Sequence, residues 1–202
     1  ENRAHQEQLK GVMEILGVRE LTGKDPDQGV WARVQDAMAA MSGIIGGAAT
    51  RTKDEMNITE IITMDHRKVD TIFMEIEKTN DPQKLQEFFG QLYKDLSVHS
   101  EAEEQIVYPA VRSYYSNTQQ LYDEQAEMKQ MLAQIKALNP SASNFKAQIQ
   151  QLKTAVQTHV KEEENDMFPQ IRRNLSEAQM EQMATQFKAA KSTIQQEMAG
   201  MS

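Results

Sequence analysis

Cysteine is absent from the 202 residues. Disulfide staples, iron–sulfur ligation, thiolate zinc sites and a cysteine nucleophile are therefore excluded. Any metal must be held by imidazole and carboxylate. Glycine, at 9 residues, and proline, at 5, are scarce, and no run of alternating apolar and polar β-branched residues stands out. Gln, Glu, Lys, Ala and Met dominate instead, which points to an all-α fold. Long apolar runs are missing too: the longest weakly polar stretch, 37–49, has about 13 residues with glycines among them, against the roughly 20 needed to cross a bilayer. No membrane span is expected. The formal charge is −8 and no cluster of Lys and Arg offsets it. That balance argues against nucleic acid or an anionic membrane surface as partner.

What is present is ordinary globular composition, 39% apolar and 26% charged, enough for one domain and an appendage. From Asn57 onward the punctuation is regular. Asn57 or Thr59 caps a helix running to about Thr79, and Asn80-Asp81-Pro82 supplies a turn, an N-cap and a proline at the first helical position. A second helix runs from Pro82 to about Tyr115. Ser116-Asn117 opens a third, ending near Leu138, and the loop 139–143 closes with Ser143 as cap of a fourth that reaches about Arg173. Leu175-Ser176-Glu177 begins a fifth, ending at Gly200. Apolar residues recur at helical spacing, as in Ile58, Ile61, Ile62, Val69, Ile72, Phe73 and Ile76. Most of the thirteen methionines, Met128 and Met131 among them, fall on such stripes as core filler.

The expected architecture is thus an up-down-up-down four-helix bundle over 57–202, with a fifth C-terminal helix. Residues 1–56 read as a helical N-terminal appendage. They hold an amphipathic stretch near Leu9 to Leu16, the turn-rich Thr22 to Asp27, a short helix from Val30 to Met41 and the Gly46-Gly47 break. A homo-oligomer or protein contact through this appendage is one expectation and a hinge is the other. The chain begins at Glu1, which leaves room for a targeting segment upstream; the cytoplasm is the default expectation.

Two segments 60 residues apart repeat one another. His99, Glu103, Glu104, Tyr108, Pro109, Val111 and Arg112 align without gaps on His159, Glu163, Glu164, Phe168, Pro169, Ile171 and Arg172. An internal duplication relating the first helix pair to the second by a pseudo-twofold is the simplest account. In each copy the His and first Glu lie four residues apart, on one helix face and about 6 Å apart along the axis. Imidazole and carboxylate together suit iron, manganese or zinc, and a carboxylate can bridge two ions. Glu104 and Glu164, about 100° further round, suit the surface or an outer role beside the ligands. A lone pair of this kind is commonly a surface ion pair; two copies in one longer pattern are not. His66 lies among Ile61, Ile62, Val69 and Phe73, where an unpartnered imidazole is costly to bury. Pro109 and Pro169 imply a shared bend or paired helix ends. His5 is read as a surface residue.

The order His, His-x-x-x-Glu, a third-helix position, His-x-x-x-Glu, with Glu-Glu-x-x-x-[Tyr/Phe]-Pro closing each pair, resembles the hemerythrin-like, or HHE cation-binding, domain over about residues 58–198. The resemblance implies a four-helix bundle around a carboxylate-bridged di-iron site. His66 and His99 would bind one iron and His159 the other, with Glu103 and Glu163 bridging. The third helix, which in that family supplies a histidine after a glutamate, here carries Glu124-Gln125. Gln125 also sits one residue from where the pseudo-twofold expects the counterpart of His66. A glutamine amide is a poor iron ligand, so the second metal takes Gln125 weakly, recruits Glu124 or water, or is loosely held. The expected cofactor is two iron ions, with manganese or zinc as alternatives.

The functional expectation is binding or processing of O2, peroxide or nitric oxide, as a di-iron oxidoreductase if the protein is an enzyme. The alternative is an iron or oxygen sensor whose metal occupancy governs a partner contact. Ferritin-like iron storage is disfavoured because a helical Glu-x-x-His is absent. A purely structural helical protein is the bland remainder.

Overall fold

A computed structural model describes residues 55–200, and every described element is helical. The appendage expected over 1–56 lies almost wholly outside the described residues, as does His5. Seven α segments and two π turns follow one another: α1 (Ile58–Lys78), α2 (Pro82–Ala102), π1 (Glu103–Val107), α3 (Tyr108–Val111), α4 (Thr118–Lys136), α5 (Phe145–Glu162), π2 (Glu163–Met167), α6 (Phe168–Asn174) and α7 (Glu177–Gly200). The π turns are inserts within continuous rods, so the chain reads as four long helices plus a fifth. The all-α bundle is as the sequence implies. No described helix is long and apolar enough to cross a membrane.

Local chemistry sets most of the ends. Asn57 Oδ1 accepts from the Glu60 amide at 3.1 Å, capping α1, while Thr59 lies inside the helix and donates its hydroxyl to Asn57. Asp81 accepts from the Gln83 amide and Pro82 stands at the first helical position of α2. Ser176 and Gln179 cap α7 reciprocally, each side chain meeting the other's backbone amide. Ser143 does not cap the fourth helix. That helix begins at Phe145, after Asn144, and the preceding loop is organised by Asn139, whose Oδ1 accepts from the amide and hydroxyl of Ser141.

The apolar stripes meet in one core. Ile58, Ile62, Ile72, Leu92, Val111, Leu121, Leu152, Ile171 and Phe187 are fully buried, and of the two methionines singled out Met128 is buried and Met131 half-buried. Helix α1 packs on α2, α4 packs on α5, and α7 lies against α1 and α2. Lys146, at the start of α5, donates to the Glu77 and Thr79 carbonyls at the end of α1, which fixes these two rods antiparallel. Mid-α1 therefore faces the far end of α5. That places His66 beside Glu163.

Candidate metal centre

Both copies of the repeat break the α-helix at the same place. The Tyr108 amide donates to the Glu103 carbonyl, and the Phe168 amide to the Glu163 carbonyl, five residues back instead of four. Proline explains the location. Pro109 and Pro169 have no N–H to give and their rings would collide with the preceding α turn; a widened turn relieves both problems without ending the helix. The shared bend expected from the prolines is thus a π turn. It also has a geometric product. One extra residue per turn swings position i+5 back over position i, so Tyr108 rides above Glu103 and Phe168 above Glu163.

The residues singled out from the sequence converge. His66, His99, Glu103, Gln125, His159 and Glu163 are all buried, Glu103 and Glu163 completely so. Among the described residues, two groups could each hold a cation, with ligand atoms within 4.8 Å of one another: His66, His99 and Glu163 in one, Glu103, His159 and Glu163 in the other. Glu163 belongs to both. His66 Nε2 is 3.0 Å from Glu163 Oε1, and His99 Nε2 is 3.0 Å from Glu103 Oε1. The rings of His66 and His99 meet edge to face, 5.2 Å between centroids.

Each of the three described histidines is oriented from behind by a carboxylate, the arrangement that fixes the tautomer of metal-binding imidazoles. Asp65 holds His99 Nδ1 at 2.8 Å, Glu124 holds His159 Nδ1 at 2.9 Å and Glu164 holds His66 Nδ1 at 2.9 Å. Of the two acids expected at the surface or in an outer position, Glu164 thus stands behind His66 and Glu104 pairs with Lys129. Asp65 is clamped in turn by Lys191 of α7, whose Nζ lies 2.7 Å from both of its oxygens. Phe187 of α7 packs edge-on against His99.

Electrostatics reflects this crowding of donors. Burial pushes the Glu103 carboxyl up, and the neighbouring Glu163 carboxylate pushes it further. Burial would raise Glu163 as well, but His159 and the hydrogen bonds from Glu103 and His66 hold it below the usual carboxylate range. His66, which burial alone would lower, is raised to about 9 by Glu163 and Glu164. Protons thus gather where lone pairs converge. Three buried polar atoms here still lack a hydrogen-bond partner: Glu103 Oε2, Gln125 Oε1 and His99 Nε2, whose 3.0 Å approach to Glu103 Oε1 is a charge contact without hydrogen-bond geometry. Unpartnered buried acceptors are costly, and a cation would satisfy them. The donor set fits a metal.

In space Gln125 takes the place equivalent to His66, one residue short of the repeat's offset of 60. Asp65-His66 and Glu124-Gln125 are equivalent pairs, and the Gln125 Nε2 to Glu103 distance of 2.9 Å mirrors His66 to Glu163. Its amide nitrogen, not its oxygen, faces the carboxylate. Beside it stands a residue to which sequence reasoning gave no role in the site. The Tyr108 hydroxyl lies 2.7 Å from Gln125 Nε2, 2.8 Å from Glu163 Oε2, 2.9 Å from His159 Nε2 and 3.4 Å from Glu103 Oε1.

A family model described as the hemerythrin HHE cation binding domain matches residues 57–171. This chain belongs to that family. It is a metal-binding, hemerythrin-like module. A protein of Nostoc sp. strain PCC 7120 named DNA nickase is 60% identical over 204 residues, covering 99% of this chain and 58% of the relative. This chain therefore spans little more than half the length of that relative. An uncharacterised hemerythrin-like protein of Schizosaccharomyces pombe is 28% identical over 142 residues, 68% of this chain and 70% of the relative. No solved structure matches.

Proposed function

We propose that the module is a non-haem di-iron centre that binds or processes a small oxygen species, with His66, His99 and Glu163 serving one ion and Glu103, His159 and Glu163 the other. The observation carrying this reading is the pair of buried donor groups sharing one carboxylate. Mixed imidazole and carboxylate donors suit iron better than a hard oxygen-only cation. An iron pair supplies redox chemistry toward O2, peroxide or nitric oxide. Zinc or manganese would fit the same donors without that chemistry.

The chain's own contribution is enclosure and orientation. A cavity of about 20 Å³ touches His66, His99, Glu103 and His159, with Asp65 and Ser100 beside them, and its other walls are the apolar side chains Val69, Leu96, Met128, Val156 and Val160. That is room for one water-sized or diatomic guest. Apolar walls keep bulk water from the ligands and admit small neutral molecules. Asp65, Glu124 and Glu164 lock the three imidazoles, so little reorganisation accompanies binding.

A second reading rests on the 60% identical relative, whose name brings DNA strand nicking into view. Neither the net charge of −8 nor the size of the cavity suits a phosphodiester entering this site. Under this reading nicking depends on surfaces away from the centre, or on the part of the longer protein that has no counterpart in this chain. One experiment separates the two. Chain purified from iron-replete cells is expected to carry roughly two irons, with near-ultraviolet absorption of a bridged pair. The same preparation, tested on supercoiled plasmid, is expected to leave it closed. Stoichiometric zinc, or no metal, would sink the oxygen reading; metal-dependent conversion to open circles would favour the second.

A further inference from the structure

The Tyr108 hydroxyl has more neighbours than a hydroxyl can serve. It carries one proton and two lone pairs. Gln125 Nε2, a donor, takes one lone pair at 2.7 Å. The other three neighbours are all acceptors or potential acceptors. Glu163 Oε2 and Glu103 Oε1 are carboxylate oxygens, and in the neutral imidazole His159 Nε2 bears a lone pair because Nδ1 is committed to Glu124. With His159 neutral and both carboxylates ionised, the forms that metal ligation requires, three lone-pair groups converge on an oxygen with a single proton to share. Those three, Glu103, His159 and Glu163, are the second candidate metal group.

The pseudo-twofold sharpens the point. The first candidate group has two imidazoles, His66 and His99. The second has one, His159, with Gln125 in the place equivalent to His66, and the Tyr108 hydroxyl, carried by the π turn of the first helix pair, lies among its donors, whereas Phe168, the repeat counterpart of Tyr108, has no heteroatom. The group that lacks a second histidine is the group that gains a phenol. Phenolate is a hard anionic oxygen donor, well matched to ferric iron.

We propose that Tyr108 is a metal ligand of the second ion, a phenolate supplied by the π turn in place of the absent histidine. This rests on the di-iron reading above. Ligation forms one iron–oxygen bond and breaks the phenolic O–H; the proton leaves to a solvent base and no electron moves. The first ion has no such donor. Two ions with unlike ligands follow, one with two imidazoles and one with an imidazole and a phenolate.

The full chain, loaded anaerobically with ferrous iron and then oxidised, tests this by metal count, visible absorption and resonance Raman. The wild type is expected to hold both irons and to show a visible phenolate-to-iron charge-transfer band that enhances tyrosine ring vibrations on excitation. Tyr108→Phe is expected to fold normally, because phenylalanine already occupies the equivalent place in the other half. It should lose the band and release the second iron about 10- to 100-fold more readily. Phe168→Tyr is the mirror test: it keeps the wild-type band, since Tyr108 is intact. A wild type with two irons and no phenolate band overturns the ligand role while leaving the di-iron reading standing, as does a band that survives in Tyr108→Phe. A wild type that takes up no iron overturns both.

Discussion

The two halves of the centre share a backbone and differ in chemistry. Each contributes a long helix, a His-x-x-x-Glu pair, a π turn and a proline, and each orients its histidine with an acid from the neighbouring helix, Asp65 in one and Glu124 in the other. Yet the first half presents His66 where the second presents Gln125, and the first carries Tyr108, which reaches across to His159 and Gln125, where the second carries Phe168. The outer supports diverge as well. Asp65 is held by Lys191 from α7, and its carboxyl, which burial would raise, is kept well below the usual range by His99 and Lys191. Glu124 faces Gln120 and Glu162 at a more exposed edge, and the carboxyls of Glu124 and Glu162 share a proton that lifts Glu162, already raised by partial burial, to about 7. The lesson is that a duplicated scaffold preserves geometry more readily than ligand identity. The π turn is fixed by proline and backbone, while single side chains on it are free to change.

The largest expected effect comes from erasing what the halves have in common. Glu163→Ala removes the carboxylate that both donor groups require, so metal content should fall close to zero. With it goes the stabilisation that bound metal confers, about 4 kcal/mol at a thousandfold excess over Kd. Metal analysis and thermal unfolding read both, and retention of either ion would show that Glu163 is not shared. A smaller effect follows from making the halves alike. Gln125→His restores the imidazole and should tighten the second ion by about tenfold, the scale on which changes around a metal site move its affinity. Competition with a chelator measures it; an unchanged release profile would mean that position 125 does not reach the metal.

The smallest effect concerns protons in the metal-free protein. His66 is raised to about 9 from 6.5, so its protonated form is the one the fold favours. The resulting stability is fully present below pH 6.5 and is lost as pH rises through 9. Chelator-treated protein should therefore melt at falling temperature across that window. Iron-loaded protein, whose His66 is committed as a neutral ligand, should not. Parallel curves for the two forms would remove His66 from the ligand set.

Much of this is legible in the order of the amino acids. Helix positions follow from apolar spacing, and most caps from Asn57, Asp81 and Ser176; Ser143 misleads because a loop asparagine, Asn139, organises the turn instead. The gathering of His99, Glu103, His159 and Glu163 is readable from i, i+4 spacing within single helices. Tyr108 is visible only as one matched position of a repeat. A regular helix would set it five steps, about 140°, from Glu103 and out of reach. The signal that could reveal it is the proline that follows, because a proline inside a rod demands a widened turn, and a widened turn shifts the face. Lys191 leaves no such trace. It lies 126 residues from Asp65, and nothing in its local sequence separates it from other lysines of α7.

The sequence alone determined the all-α class, the duplication and the face on which imidazoles and carboxylates gather, because these depend on spacing along one helix. Which acid supports which histidine, that α7 reaches the centre through Lys191, and that a tyrosine stands among the donors of the histidine-poor half were decided only by the tertiary structure. Those relations depend on how separate rods approach one another and on one extra residue in a turn, and neither is written in local periodicity.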